Sequence, residues 1–249
     1  MMKNLQLLFW VLLSTIYFGQ NSTSDFGIGL LVCNTEFPIV FYKKKSDKIP
    51  LDTLKFEPRE NGTTKFASKL NLKPYSISEG DSKEEAKKHE EEIGFSFSPK
   101  LTFRVLKNEK NFVLVRINEK TNETLYLKKE KDAVYYKNSV EAEKNNCTNC
   151  EGSNFNPKRY IYNSWDEYLR KVEYIEKKDA VIYDEPDGEI IFENKTNDRL
   201  GFKVLEVNGE WIRVKKSERN STNPFEKEGW MKWIENGKKV IGIISVVLI

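Results

Sequence analysis

At 249 residues, with 32% charged and 12% aromatic side chains, the chain has room for two small domains or one large one and leaves wide polar surfaces. Its 41 Lys and Arg against 38 Asp and Glu leave a formal charge of +3, and the lysines are interspersed with glutamates rather than clustered. Such a balance gathers no phosphates, so nucleic acid is not an expected partner.

The first twenty residues, "MMKNLQLLFWVLLSTIYFGQ", place one cation, Lys3, before an apolar run from Leu5 to Phe18 and a small residue, Gly19. That order is a secretory signal peptide over 1–19, with an apolar core too short to favour a span. Tyr17 is bulky where a small residue is preferred before the cut, and a retained N-terminal anchor is the alternative. Cleavage would lower the charge by one, through Lys3. In "LLVCN" a lipoprotein would need a small residue before Cys33, and Val32 stands there. The expected product is exported, to the periplasm or, as a secreted protein, to the cell envelope or medium, with no stable membrane span after cleavage.

Downstream, "FPIVFYKKKSDKIPLDTLKF" (37–56) offers two short β-rich runs, and "LTFRVLKNEKNFVLVRINEKTNETLYLK" (101–128) offers three more. Between them, 57–98 contains "SKEEAKKHEEE", where Ser82 and Glu85 form a capping box for a short solvated helix over Lys83 to Glu92. After an asparagine-rich stretch, Ser164 and Glu167 form a second capping box. Behind it, Trp165, Tyr168, Leu169 and Val172 fall on one helical face, expected to pack on the following domain. "DAVIYDEPDGEIIF" reads as strand, a turn on Pro186, Asp187 and Gly188, and strand. "FKVLEVNGEWIRVKK" alternates, breaks at Asn208-Gly209, and alternates again. The tail "KKVIGIISVVLI" is expected as a buried closing strand or interface segment.

The halves resemble one another. "TFRVLKNEKNFVLV" aligns without gaps on "GFKVLEVNGEWIRV", matching Phe103 with Phe202, Val105 with Val204, Leu106 with Leu205 and Val115 with Val214, while Phe112 meets Trp211. Tyr42 likewise falls beside Tyr183. Tandem duplication accounts for this most economically. The first copy lacks the Asn-Gly turn and the tryptophan, which makes the second the better binding candidate.

Alternation in "GEWIRVK" puts Trp211, Arg213 and Lys215 on one face and Ile212 and Val214 on the other. Trp211 either lines a groove on the polar face or is turned inward by barrel curvature to plug the open end. By composition alone Trp230 and Trp233 are expected in the core.

"AVIYDEPDG" (180–188), "FKVLEVNGEWIRVK" (202–215) and "EGWMKWI" (228–234) together resemble the bacterial SH3-like domain family. Gly209, Trp211 and Val214 match its hairpin pattern, and Gly229 and Trp230 its closing step. The resemblance implies an all-β chain with short helices: two tandem SH3-like small β-barrels, at 34–137 with a helical insertion at 57–98 and at 173–249, joined by a linker and helix at 138–172. It also implies a non-catalytic module, with a groove formed by Tyr183, Asp187, Trp211, Trp230 and Phe225 that takes a peptide, protein or cell-wall component. The alternative is a structural or inhibitor-like envelope protein without a groove.

Cys147 and Cys150 form a C-x-x-C. No preceding strand suits a thioredoxin-like thiolate, and a zinc site would have only Cys33 and His89 to complete it. In an exported chain a local disulfide is the expected state, which leaves Cys33 odd, and a redox protein is a weaker rival. The one histidine, His89, lies in an acidic run. No "G-x-S-x-G", "S-x-x-K" or phosphate-cradling glycine loop occurs, so neither an enzyme, a metal nor a cofactor is expected.

Overall fold

The computed structural model describes residues 26–33, 35, 37–82, 99–129, 134–136, 159–219 and 223–244, with only the backbone at 134–136 and 159–162. The fold is mostly β, with 52% strand and a single described helix, in keeping with the all-β expectation. The expected signal peptide, the helix expected at 83–92 and the Cys147–Cys150 pair lie outside the described residues.

The first sheet begins with β1 (Gly29–Val32), β2 (Ile39–Tyr42), β3 (Asp52–Pro58), β4 (Thr64–Ala67) and β5 (Ser76–Ser78). It continues with β6 (Lys100–Asn108), β7 (Phe112–Asn118), β8 (Glu123–Lys128), β9 (Val134–Tyr136) and β10 (Arg159–Ser164). Their spatial order is β4-β3-β2-β8-β7-β6-β1-β10-β9, with β5 also on β6, and the sheet curls into a half-barrel.

Helix α1 (Trp165–Lys171) follows directly, and its capping box is complete: the Ser164 hydroxyl accepts from the Glu167 N–H at 3.2 Å, and the Glu167 carboxylate accepts from the Ser164 N–H at 3.0 Å. The second sheet comprises β11 (Tyr174–Lys177), β12 (Val181–Tyr183), β13 (Ile190–Glu193), β14 (Leu200–Asn208), β15 (Trp211–Lys216), β16 (Glu228–Lys232) and β19 (Gly242–Ile244). Its order is β13-β12-β16-β15-β14-β11-β19; β17 (Ile234–Glu235) and β18 (Lys238–Lys239) form a separate ribbon.

The two paths coincide step for step. The run β3-β2-β8-β7-β6-β1 in the first sheet matches β13-β12-β16-β15-β14-β11 in the second. In each long hairpin the ladder skips one residue, Leu106 between the pairs Val105–Val115 and Lys107–Leu114, and Leu205 between Val204–Val214 and Glu206–Arg213. These bulge residues are the ones that the gapless alignment pairs, so local curvature is set at the same point in both.

Differences from the sequence expectation lie at the joints. β1 and β10 fall outside 34–137 yet extend the first sheet, β10 within the stretch read as linker. β4 and β5 occupy the first part of 57–98, which contributes strands there rather than helix. The tail adds β19 antiparallel to β11, with Ile241 buried.

Each sheet closes on its own core. Phe41, Phe103, Val105, Val115 and Leu127 lie in the first, and Ile182, Phe202, Val214, Met231 and Trp233 in the second. Because successive side chains on a strand point to opposite faces, β1 serves both, with Leu30 in the second core and Leu31 in the first. Trp165, Leu169 and Val172 bury the helix face in the second core, as their spacing predicts, with Tyr168 packed at its margin.

The joint is aromatic. The Phe26 ring lies 4.9 Å from Trp165 and 5.0 Å from Trp233, and the Arg104 guanidinium stacks 4.1 Å from it. Arg104, nearly buried, donates to the Glu119 carboxylate at 2.9 Å and to the Phe26 carbonyl at 3.0 Å. A buried guanidinium is tolerable because it is paired with a carboxylate and rests on rings.

Candidate functional site

The outer face of β12-β16-β15 carries the side chains to which the sequence points. In register, Tyr183 stands across from Trp230, Trp230 from Arg213, and Lys232 from Trp211. The Tyr183 and Trp211 rings meet edge to face at 5.2 Å and 89°, and the Lys232 ammonium lies 5.1 Å from the Trp211 centroid. Aromatic pairs favour this geometry, and a cation over an indole adds attraction. Arg213 sits between Glu206 at 3.5 Å and Glu228 at 3.6 Å, which compensates its charge.

Strand alternation explains the placement. Ile212, Val214 and Met231 are fully buried on the inner face, so Trp211, Arg213, Trp230 and Lys232 face outward. Trp211 is nonetheless only 9% exposed, because Tyr183 and Lys232 cover it. It neither turns into the core nor stands open.

The ring that does turn into the core is Trp233, 1% exposed. Its indole N–H donates to the Gly209 carbonyl at 2.9 Å, tying the core to the tip of the β14–β15 hairpin. That tip is the two-residue loop Gly209-Glu210, with Asn208 still paired to Trp211. Gly209 has φ +59°, a conformation that needs glycine at the first loop position when the turn is to match the strand twist. Trp230, by contrast, is half-buried on the outer face, which corrects the expectation that it lies in the core.

Phe225 is not a groove residue. It is 3% exposed, with its ring 5.3 Å from Phe192 and 6.3 Å from Phe202. The cause is Asn223, wholly buried, whose amide donates to the Gly201 carbonyl at 2.7 Å while its side-chain oxygen accepts from the Phe225 N–H at 3.0 Å. That local turn aims the phenyl ring inward. Asp187 lies at the exposed tip of the β12–β13 turn at φ +59°, a conformation aspartate tolerates better than most residues. Asp184 organises the turn, its carboxylate accepting from the N–H groups of Glu185 and Glu189, both at 2.8 Å.

Tyr183, Trp211 and Trp230 are thus brought together, whereas Asp187 is at the neighbouring turn and Phe225 is in the core. Sequence reasoning passed over Lys232, although "EGWMK" already places it on the face of Trp230 by period two. Cys33 is buried in the first core, where burial pushes its thiol up from the ordinary range and leaves it unreactive. A separate open cleft lies along β3 and β4, where Asp52 accepts from the Ser68 hydroxyl at 2.5 Å and the Lys69 N–H at 2.9 Å. These bonds outweigh the opposing effect of partial burial and hold the Asp52 carboxyl below its usual range.

Among the described residues no group of three or more potential ligand side chains is placed to hold a metal, and no helix is long and apolar enough to cross a membrane. No protein-family model, curated protein or solved structure matches the chain.

Proposed function

We propose that this is an exported, non-catalytic binding protein of two SH3-like modules, in which Tyr183, Trp211 and Trp230 with Lys232 receive a peptide or cell-envelope component. The observation that carries the reading is the cluster of three aromatic rings on the outer face of a sheet whose inner face is already filled. An amphipathic ring spent outside the core lowers no folding free energy comparable to a buried one, but it supplies rigid contact area to a partner. Trp230 and Tyr183 are half-buried and available, and Trp211 packs edge to face against Tyr183.

The second reading, a structural or inhibitor-like envelope protein, draws on the cover over Trp211 and the core position of Phe225. One experiment separates the two: co-sedimentation of the purified chain with cell-wall sacculi and capture on a synthetic peptide array, for wild type, Trp230→Ala and Tyr183→Ala. Binding on either support, weakened about tenfold or more by both substitutions while the variants keep the wild-type dichroism spectrum, is the expected outcome. Equal retention of all three proteins, or none by any, removes the outer face as a binding site and leaves the structural reading.

A further inference from the structure

The first sheet carries the same construction on its outer face, built from residues that share only a tyrosine and a lysine with the second. In β2, β8 and β7, Tyr42 stands across from Tyr126 as Tyr183 does from Trp230, Leu114 across from Tyr126 as Arg213 does from Trp230, and Phe112 across from Lys128 as Trp211 does from Lys232. The Tyr42 and Phe112 rings meet edge to face at 6.4 Å and 89°, matching the 89° of Tyr183 and Trp211, and Phe112 meets Tyr126 at 6.2 Å and 84°. Beneath them Phe41, Val113, Val115 and Leu127 fill the core, so these rings too are surplus to it. All three are half-buried, which leaves them more open than Trp211.

We propose that the face formed by Tyr42, Phe112 and Tyr126 is a second binding site, and that each of the two faces takes an extended peptide bearing a carboxylate. This rests on the reading that the Tyr183–Trp230 face binds at all. The ligand chemistry follows from charge. Arg213 is compensated by two glutamates and Lys45 by Glu109 at 2.7 Å, but Lys128 and Lys232, at equivalent register positions beside the rings, form no ion pair among the described residues. Lys107, across from Leu114, adds a second uncompensated ammonium to the first face, and Leu114 there replaces the Arg213 ion-pair centre. A row of rings on the open face of a sheet suits an extended backbone laid across it, and one ammonium at its end suits one carboxylate. The first face should show the stronger salt dependence, since two of its cations have no ion-pair partner among the described residues.

The test is calorimetric titration of the full chain with a proline-rich peptide that carries a single glutamate, and with its glutamine counterpart. Wild type should bind two glutamate peptides per chain, Tyr126→Ala and Trp230→Ala one each, and the double variant none; the glutamine peptide should bind about tenfold more weakly. Lys128→Glu, a surface change that spares folding, should weaken the first site alone by a similar factor. One peptide per wild-type chain, lost in Trp230→Ala and kept in Tyr126→Ala, overturns the second site while the reading of the first-described face survives. Binding lost in Tyr126→Ala and kept in Trp230→Ala does the reverse. Indifference to glutamate against glutamine, or to Lys128→Glu, overturns the carboxylate, and no binding by wild type overturns both sites for this ligand class.

Discussion

The two sheets run the same strand path around differently filled centres. At one equivalent position the first has Leu125, 3% exposed, and the second has Gly229. A Cβ on Gly229 would come within 2.5 Å of Ile182 Cγ2 and 2.8 Å of the Tyr183 carbonyl oxygen, so β12 could not lie as close to β16 as it does. Where the glycine stands, the tyrosine ring approaches its aromatic partner to 5.2 Å; where leucine stands, the corresponding approach is 6.4 Å. A difference of one side chain on the inner face thus adjusts how closed the aromatic row is on the outer face. The second sheet has the larger rings and covers one of them, Trp211, whereas all three rings of the first are half-buried.

The comparison breaks most forcefully in the cores. Phe103 and Phe202 are aligned and both fully buried, so Phe103→Ala and Phe202→Ala should each cost about 3–5 kcal/mol. The described tryptophans lie in α1, on the second sheet or, for Trp233, in the second core. Denaturant unfolding followed by tryptophan emission therefore reports that sheet, while far-ultraviolet circular dichroism reports both. Because β1 donates Leu30 to one core and Leu31 to the other, Phe103→Ala should move both signals together. Movement of the dichroism alone would show two independently stable units.

The joint gives the next effect. Arg104→Ala leaves Glu119 without its close partner and removes the cation from the Phe26 ring, which should cost about 3 kcal/mol, in the range for breaking a largely buried pair. The expected signature is separation of the emission and dichroism transitions, since this residue links the first sheet to the rings on which the second core closes. A loss of stability with the transitions still coincident would assign the coupling to β1 alone.

The smallest effect sharpens the contrast between the faces. Trp211→Ala should cost about 2–3 kcal/mol and Phe112→Ala about 1–2 kcal/mol, because the first ring is 9% exposed and the second half-buried. Differential melting temperatures of the two variants measure it, and equal shifts would mean that the rings are equally covered.

Local rules carried far in this chain. The period-two alternation of "GEWIRVK" correctly separates Trp211 from Ile212 and Val214, and Ser164 with Glu167 marks the helix start, because side-chain direction and capping depend on a few consecutive residues. The gapless pairing of Leu106 with Leu205 reaches further, since it lands on the skipped residue of each hairpin. What the linear pattern could not reveal is which rings end up covered. Trp230 and Trp233 are both tryptophans three residues apart, yet the first stays outside and the second reaches the Gly209 carbonyl from the second core. Phe225 turns inward on account of the Gly201 carbonyl, which lies on a distant strand and engages Asn223. β10 reads as linker until β1, more than a hundred residues earlier, offers it an edge. Each of these outcomes depends on partners brought together only by closure of the sheets, and a ring's burial is a property of those partners rather than of the residues beside it in the chain.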